Sequence, residues 1–371
     1  MSTSVVRKGV VVLAVAGLLG ATATAAEAGP AVVQRKLDAL VSQEKFPAAL
    51  ASVSRGGHPV PLVAGSSRLG SRVPVPPDGR VRAGSNTKTF TAVVVLQLVA
   101  EGRVELDAPI ERYLPGLVPG GSAITVRQLL QHTSGLPNYT EHLGLEDFAK
   151  LQHRYFQPHE LLALALAHPA EFAPGTKWQY SNTNYLLAGL LAERVTGRPV
   201  AEQVTERVIR KAGLRNTYWP QVGDQTIQGP HPQGYALSAD GSVIDVTELD
   251  PSWGWAAGQL ISTPGDLAQF SRALLDGRLL PAPQLAEMRK TVEAPLFPGW
   301  RYGLGVFSVP LSCGGEYWGH GGDIHGFETR GGATDDGRAV GLAVTALPGT
   351  FGDTDRAERA VLSTVDAAFC R

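Results

Sequence analysis

The sequence predicts an α/β (α+β) fold: an antiparallel sheet flanked by N- and C-terminal helices, together with an all-α insertion. Segments with the pattern of strands lie near both ends of the chain, and segments with helical spacing fill the middle. We therefore expect an α/β region formed by about residues 29–84 and 298–371, and a mainly helical region over about residues 85–297. A cleft between the two regions is a natural ligand site.

Composition excludes several classes of protein. The chain has 371 residues, of which 43% are hydrophobic and 18% are charged, which excludes a disordered chain or a coiled coil. The 43 glycines and 26 prolines place much of the chain in turns and shaped loops. The formal net charge is −1 and no basic block occurs, so we expect neither a nucleic-acid partner nor an anionic membrane surface. Nothing in the sequence demands more than a monomer.

Residues 1–28 have the pattern of a signal peptide. The basic residues Arg7 and Lys8 precede an apolar run over residues 9–19, and small residues with Ala-x-Ala spacing follow. The run is too short to cross a bilayer, and no later one reaches about 20 residues, so we expect no membrane span in the mature chain. A buried N-terminal helix is the alternative. We expect an exported, extracellular protein whose residues 29–371 form a single unit.

The first predicted elements after this leader are a helix and two strands. Apolar residues with helical spacing predict an amphipathic helix over Pro30–Glu44. Strands follow at Ala48–Ser54 and Val60–Ala64, joined by a turn at Gly56 and Gly57.

Helices dominate the middle of the chain, where several apolar segments end at a glycine. The clearest predicted helices are Thr87–Ala100, Thr125–Leu130, His159–Leu166, Thr183–Val195 and Val200–Lys211. A further helix begins after Thr263, which is a good N-cap residue, with Pro264 in its first turn.

After Pro298 the pattern changes to strands. The predicted strands are Tyr302–Val309, Glu316–Gly319, Gly326–Gly332 and Ala339–Ala346. Asp335, Asp336 and Gly337 form a hairpin turn between the last two strands. A helix over Arg356–Phe369 closes the chain.

The arrangement of serines and lysines indicates nucleophilic catalysis. No Gly-x-Ser-x-Gly motif occurs, which counts against an α/β-hydrolase. Two Ser-x-x-Lys motifs occur, at Ser42–Lys45 and at Ser85–Lys88. This spacing places the serine and the lysine on one face of a helical turn. A lysine whose pKa is lowered by its surroundings can then act as a base on the serine hydroxyl.

The two Ser-x-x-Lys motifs differ in their surroundings. Ser42 and Lys45 end a helix and have the pattern of solvated surface. Ser85 precedes the apolar helical segment Phe90–Val99, and free N–H groups at a helix N-terminus stabilise developing negative charge. An ordinary N-cap serine is the alternative for Ser85 taken alone.

Two later motifs support a catalytic Ser85. Tyr180-Ser181-Asn182 precedes a helix; a phenol beside an ammonium can relay a proton, and an asparagine amide can hold both lysine and substrate. The glycine-rich segment 318–322 precedes a strand and lets backbone approach a ligand closely. A core tyrosine, a turn asparagine and a glycine-rich hairpin are the alternatives for each motif alone.

The sequence indicates no metal and no cofactor. The nine histidines are scattered, and no His-Glu-x-x-His motif occurs. His320 and His325 lie five residues apart on a turn-to-strand segment, so their side chains should point in different directions.

Together the motifs resemble the signature of the serine β-lactamase and penicillin-binding protein superfamily, namely Ser-x-x-Lys, Ser/Tyr-x-Asn and Lys-Thr-Gly. Tyrosine in the second element and histidine in the third are typical of the class C β-lactamase and D-alanyl-D-alanine carboxypeptidase branch. The likeness runs from about residue 31 to the C-terminus and is greatest with secreted actinobacterial D,D-carboxypeptidases. It implies a β-lactamase/transpeptidase-like fold. Supporting segments are 124–136, 172–175, 229–235, 254–258, 311–314 and 367–370.

The resemblance implies a role for each residue that matches a motif. Ser85 would be the acylated nucleophile, and Lys88 its proton partner. Tyr180 would be the base that activates the attacking group, and Asn182 would position the substrate amide. His320 stands in the place of the third-motif lysine.

The resemblance also implies an oxyanion hole and part of the cleft lining. Backbone N–H groups of Ser85 and Asp323 would bind the oxyanion. Trp255, Gly321 and Gly322 would contact the substrate.

The chain has two cysteines, Cys313 and Cys370. Export makes a disulfide between them chemically possible, which would close a loop of about 57 residues. Two buried thiols are the alternative reading of the residues alone. The resemblance implies the disulfide.

Several positions depart from the carboxypeptidase pattern, in which a pocket holds the free carboxylate of a peptide. Gly321 and Asp323 replace hydroxyl-bearing residues, and residues 307–310 contain no arginine. Asp323 would repel a substrate carboxylate by about 1 kcal/mol in water and by more in a closed cleft. Arg330 or Arg301 would have to compensate.

These observations predict a secreted serine hydrolase that acts through a Ser85 acyl-enzyme on a peptidoglycan-type D-amino-acid peptide, an ester or a β-lactam. The resemblance favours a D-alanyl-D-alanine carboxypeptidase or β-lactamase-like activity. An esterase or D-aminopeptidase of the same superfamily is one alternative. A catalytically silent penicillin- or peptidoglycan-binding module is another.

Overall fold

The computed structural model describes residues 21–56 and 59–370, with side chains from Gly29 onward. Of the predicted signal peptide, residues 1–20 lie outside the described residues, and residues 21–28 are described by their helical backbone alone. Among the helices in these ranges, none combines the length and the apolar character needed to cross a membrane.

Most of the long helices have bounds close to those that the sequence predicts. In chain order the helices are α1 Ala21–Ser42, α2 Thr87–Ala100, α3 Val126–Leu130, α4 Phe148–Leu151, α5 Pro158–Leu166, α6 Asn182–Thr196, α7 Val200–Val204, α8 Arg210–Ala212, α9 Trp255–Gly258, α10 Pro264–Leu275, α11 Ala282–Met288 and α12 Thr354–Cys370. Thr125 caps α3 by accepting a hydrogen bond from the Gln128 backbone, and Thr263 caps α10 in the same way.

The strands lie mainly near the two ends of the chain. They are β1 Ala48–Arg55, β2 Val60–Gly65, β3 Val81–Arg82, β4 Tyr235–Leu237, β5 Val243–Asp245, β6 Ile261–Ser262, β7 Val292–Glu293, β8 Arg301–Tyr302, β9 Phe307–Pro310, β10 Glu316–Gly319, β11 Gly322–Ile324, β12 Phe327–Ala333 and β13 Arg338–Val344.

One antiparallel sheet joins the two ends of the chain. Its nine strands, counted over the described residues, run in the order β2-β1-β13-β12-β10-β9-β8-β7, with β11 paired to β12 beside this path. The first strand therefore pairs with the last one, and Leu50 lies opposite Ala343. The α/β fold with an antiparallel sheet is confirmed.

Helices cover both faces of the sheet. On one face α1 and α12 pack together, and Leu37, Val365 and Phe369 belong to the core between these helices and the sheet. On the other face α10 packs against β1, β12 and β13. Phe270 of α10 stacks on Phe90 of α2 with ring centroids 3.8 Å apart, which connects the sheet to the helical region.

Helix α1 begins at Ala21, whereas the sequence predicts that this helix begins at Pro30. The predicted strand Tyr302–Val309 is also wrong as one element, because β8 and β9 are separate. Between them, the Leu304 and Gly305 backbones donate hydrogen bonds to Met288 and Leu130 of the helical region, at 2.9 and 3.1 Å. These residues therefore leave the sheet and tie it to the helices.

The predicted helix Val200–Lys211 is interrupted by a π-helical segment over Thr205–Ile209, between α7 and α8. The Thr205 hydroxyl donates to the Ala201 carbonyl at 2.7 Å, a side-chain bond that competes with the helical ladder. Apolar spacing does not distinguish an α-helix from one that contains such a segment.

Cys313 and Cys370 form the predicted disulfide, with 57 residues of sequence separation. It joins the turn before β10 to the last residue of α12. The Ser312 backbone and hydroxyl both bond Asp366 of α12, at 2.8 and 2.6 Å, so the same junction also has a non-covalent component.

Replacing both cysteines by serine should lower the free energy of unfolding by about 2–4 kcal/mol, because a long loop is no longer closed in the unfolded chain. Urea unfolding of the oxidised protein measures this change. Ser312→Ala is the matched control at the same junction and should cost less than about 1.5 kcal/mol. Equal stability of the double-serine variant and the unsubstituted protein would contradict the prediction.

Candidate active site

Ser85 lies in a short 3-10 helix, Gly84–Asn86, that runs directly into α2. Gly84 has a left-handed φ of 51°, and a Cβ there would lie 3.0 Å from the Asp323 backbone nitrogen of β11. A side chain at position 84 would therefore push the serine segment and β11 apart.

The Lys88 amine lies one turn further along, fully buried. Its Nζ is 2.9 Å from Ser85 Oγ, 2.6 Å from Asn182 Oδ1 and 2.9 Å from the Ala257 carbonyl oxygen. Burial lowers the pKa of Lys88 well below its usual value, and the nearby Asp323 charge only partly opposes this. A neutral amine has two N–H groups for the two carbonyl-type oxygens and one lone pair, which then faces Ser85 Oγ.

Tyr180 lies in the extended segment just before α6, and its ring centroid is 4.8 Å from Lys88 Nζ. Burial raises the pKa of the Tyr180 phenol well above its usual value, while a hydrogen bond with Ser85 acts in the opposite direction. Tyr180 therefore keeps its proton at neutral pH.

Asn182 is the first residue of α6, and its amide is held from both ends. Its Oδ1 accepts from Lys88, and its Nδ2 donates to Thr140 Oγ1 at 3.1 Å and Asn138 Oδ1 at 3.3 Å. These partners fix which end of the amide faces the lysine.

His320, beside the end of β10, is neutral in this site. Its Nδ1 lies 2.5 Å from the Gly321 carbonyl, so Nδ1 carries the proton, and Nε2 accepts from the Tyr302 hydroxyl at 3.2 Å. Burial lowers the pKa of His320 to about 3. The residue in the place of the third-motif lysine therefore supplies no positive charge.

Backbone of β11 lies directly against the serine segment. A Cβ at Gly322 would lie 1.9 Å from the Ala83 carbonyl oxygen, so only glycine allows this approach. The predicted oxyanion donors, the N–H groups of Ser85 and Asp323, thus belong to two segments in contact. Their binding of an oxyanion stays a prediction.

The site opens into a cleft of about 510 Å³. Its catalytic end contains Ser85, Tyr180, Asn182, Gly319, His320 and Gly321; its apolar wall contains Leu296, Phe297, Trp300, Phe307, Val309 and Tyr317; its charged end contains Asp323, Arg330 and Glu358. Two residues predicted to contact substrate, Trp255 and Gly322, are not among these lining residues. The six-membered ring of Trp255 lies against Gly189 of α6, since a Cβ at Gly189 would be 2.8 Å from it.

The charged end was only partly foreseen from the sequence. Arg330 Nη1 donates to Asp323 Oδ1 at 2.8 Å, and its Nη2 lies 3.2 Å from Glu358 and 2.8 Å from Glu328. From the sequence, Arg330 is one of two arginines that would have to compensate for Asp323, whereas Glu358 follows Arg330 by 28 residues on α12 and has no local signal. Arg301 bonds Thr291 instead.

Among the described residues, no group of three or more His, Cys, Asp or Glu side chains has an arrangement that could hold a metal ion.

The comparison with known families agrees with the fold. The Beta-lactamase family model matches residues 33–365, and the chain belongs to this family. It is a serine hydrolase of the β-lactamase/transpeptidase fold, with Ser85 and Tyr180 in the lining of one cleft and the Lys88 amine buried beside Ser85.

Two solved structures are similar over nearly the whole chain. A D-stereospecific amidohydrolase from Streptomyces sp. is 42% identical, with 89% of this chain and 98% of that chain covered and a TM-score of 0.81. The D-amino acid amidase from Ochrobactrum anthropi SV3, complexed with L-phenylalanine amide, is 28% identical, with 91% and 97% covered and a TM-score of 0.80.

A curated relative, Esterase EstB from Burkholderia gladioli, is 36% identical over 174 residues, which cover 43% of this chain and 44% of the esterase. The chain spans about half the length of the first curated relatives that it matches.

Acid should destabilise the fold through two histidines whose pKa values are lowered. Burial lowers the pKa of His320 to about 3 and that of His325 to about 4, below the value of about 6.5 in an unfolded chain. At pH values between about 6.5 and the lowered pKa of each histidine, the unfolded state binds more protons than the folded state. The free energy of unfolding therefore falls as pH drops, by up to about 1.4 kcal/mol per pH unit for each histidine.

Urea unfolding between pH 7 and pH 4.5 measures this slope. His325 stacks on Phe148 with ring centroids 3.7 Å apart, so His325→Phe keeps the stacking and removes one titrating group. Its slope should be smaller than that of the unsubstituted protein, and equal slopes would contradict the prediction.

Proposed function

We propose that the protein is a serine amidohydrolase that cleaves amides, and the corresponding esters, of D-amino acids with a free α-amino group. The observation that carries this proposal is the cleft itself. Ser85 Oγ lies 2.9 Å from a buried lysine amine at one end, and Asp323 and Glu358 line the other end. We propose further that the protein acts outside the cell, as a monomer, after removal of residues 1–28.

Acylation begins with the proton on the Ser85 hydroxyl. Burial lowers the pKa of Lys88, which favours the neutral amine, and raises the pKa of Tyr180, which disfavours the phenolate. Lys88 is therefore the better proton acceptor of the two. Ser85 Oγ then attacks the substrate carbonyl carbon, and the N–H groups of Ser85 and Asp323 bind the resulting oxyanion.

Collapse of this intermediate breaks the C–N bond. Protonated Tyr180, whose ring lies 4.8 Å from Lys88 Nζ, passes a proton to the leaving nitrogen and regains one from Lys88. Ammonia or an amine leaves, and Ser85 carries the acyl group as an ester. Water then attacks this ester with the same groups acting in reverse, which releases the D-amino acid and restores the serine.

The charges of the cleft favour a substrate ammonium over a substrate carboxylate. Arg330 faces three carboxyl groups, those of Asp323, Glu328 and Glu358. Burial raises the pKa of Glu328 well above its usual value, which favours its neutral form. Two carboxylates then face one guanidinium, which leaves the end of the cleft with an excess negative charge. This charge argues against a D-alanyl-D-alanine carboxypeptidase, which must bind a carboxylate.

The apolar wall suits the side chain of an aromatic amino acid. Phe297 and Trp300 stand on the loop between β7 and β8, and Phe307 begins β9. Trp300 lies with its ring centroid 5.3 Å from that of Phe307 at an angle of 63°. Aromatic rings favour such edge-to-face contacts with each other and with an aromatic ligand. D-Phenylalaninamide is therefore a suitable first substrate.

Ser85→Ala should abolish hydrolysis of D-phenylalaninamide, with a loss of at least about 10³-fold in kcat, because no acyl-enzyme can form. Ammonia release measures the rate. Ser42→Ala, in the other Ser-x-x-Lys motif, is the matched control. The exposed Ser42 hydroxyl donates to the Asp38 carbonyl and lies outside the cleft lining, so this variant should keep full activity.

Activity that survives in Ser85→Ala would reject the proposed nucleophile. Intact mass after incubation with benzylpenicillin separates the alternatives. A stable adduct without amidase activity would favour a penicillin-binding protein, and consumption of the drug would indicate a β-lactamase.

Removing the carboxylates should weaken recognition of the amino group. Asp323→Asn and Glu358→Gln should each lower kcat/KM for D-phenylalaninamide by about 10-fold, which corresponds to about 1.4 kcal/mol of lost transition-state binding. For 3-phenylpropanamide, which lacks the amino group, kcat/KM should stay within about 2-fold.

Glu287→Gln is the control for a general loss of charge, since Glu287 bonds Arg127 and lies outside the lining of the cleft. An equal loss with both amides would show that the carboxylates act through the fold and not through the substrate amine.

A further inference from the structure

His132 is a buried residue to which the proposed chemistry assigns no role. It lies just after α3, its side chain is fully buried, and its φ of 60° is in the left-handed region. This conformation is uncommon for residues other than glycine and costs free energy unless the surroundings hold it.

His132 contacts Tyr180 and the residues immediately before and after it in sequence. The backbone N–H of Gln179 donates to the His132 carbonyl at 3.0 Å. The backbone N–H of Ser181 donates to His132 Nδ1 at 3.3 Å. Between these two bonds, the Tyr180 ring lies against the imidazole with centroids 4.3 Å apart. One histidine thus contacts the tyrosine and both of its neighbours.

The imidazole is itself held in one orientation. Asn184 Nδ2 lies 3.0 Å from Nδ1, and the Asn184 Oδ1 accepts from Ser134 Oγ at 2.5 Å. Because Nδ1 receives two N–H donors, its proton must be on Nε2. That atom is buried and has no hydrogen-bond partner among the described residues.

The proton on Nε2 does not make His132 an acid or base in the reaction. The ring is enclosed by aromatic groups, including Tyr185 and Tyr302 with centroids 5.3 and 4.9 Å away. Burial holds the pKa of His132 well below its usual value, so the ring stays neutral. A neutral ring with one fixed tautomer can hold the neighbouring Tyr180 segment at a fixed position.

We propose that His132 is the positioning residue for Tyr180, fixing the phenol relative to Lys88 and Ser85. This inference rests on the proposed function, in which Tyr180 passes a proton between the lysine and the leaving group. Such a transfer needs heavy atoms within about 2.6–3.2 Å. A displacement of about 1 Å can cost about 100-fold in rate.

Two amide variants test the proposal. In His132→Asn the side-chain oxygen occupies the place of Nδ1 and can accept from Ser181, and asparagine tolerates a left-handed φ. In His132→Gln the oxygen reaches the place of Nε2 instead, and the acceptor for Ser181 is lost. We expect kcat for D-phenylalaninamide within about 3-fold of the unsubstituted protein for the asparagine variant. For the glutamine variant we expect a fall of about 10- to 100-fold, with KM changed by less than about 2-fold.

His325→Asn is the control for a half-buried histidine that stacks on an aromatic ring outside the cleft. It should lower the midpoint of thermal unfolding without changing kcat per folded molecule. Equal kcat for the asparagine and glutamine variants, or a change in KM alone, would overturn the proposal. If the glutamine variant does not fold, the asparagine variant alone tests the proposal. Because that variant keeps an acceptor for the Ser181 N–H, a fall in its kcat of more than about 10-fold would overturn the proposal. An unsubstituted protein without amidase activity would instead reject the proposed function.

Discussion

Burial of the Lys88 amine is the constraint on which the rest of the site depends. A buried amine without acceptors is costly, and this one has three oxygen neighbours from separate parts of the chain. Asn182 and Ala257 lie 94 and 169 residues further along, so α2, α6 and α9 must all be in place before the amine is satisfied. The helical region therefore forms the lysine environment, and the dehydration that allows a neutral base follows from its packing.

The sheet supplies the opposite half of the site through a contact that only small residues allow. Gly322 of β11 approaches the Ala83 carbonyl, and Gly84 approaches the Asp323 nitrogen. Strand β11 pairs with β12, which pairs with β13, and β13 pairs with β1. The distance between serine and strand is thus set by a sheet that includes both ends of the chain.

Much of this site could be predicted because its signals are local. Ser85 and Lys88 are three residues apart on one helix, and Tyr180 and Asn182 flank a helix start that the sequence shows. The sequence could not predict which side chains are charged or which way each of them points. Burial makes His320 neutral, and Trp255 lies against Gly189 because of how α9 meets α6. Contacts of this kind depend on packing between distant segments, for which a single sequence carries no periodic signal.

Two residues at the third motif, His320 and Asp323, change the polarity of the cleft in the same direction. A lysine in the place of His320 would present a cation to the substrate, whereas the neutral imidazole presents none. Asp323 adds a carboxylate whose side chain is 54% exposed, and Arg330 is already paired with it. Loss of a cation and gain of an anion both disfavour a carboxylate ligand and favour an ammonium. Because Ser85 and Lys88 are unaffected by either change, the acyl-transfer chemistry can stay the same while the recognised end of the substrate is exchanged.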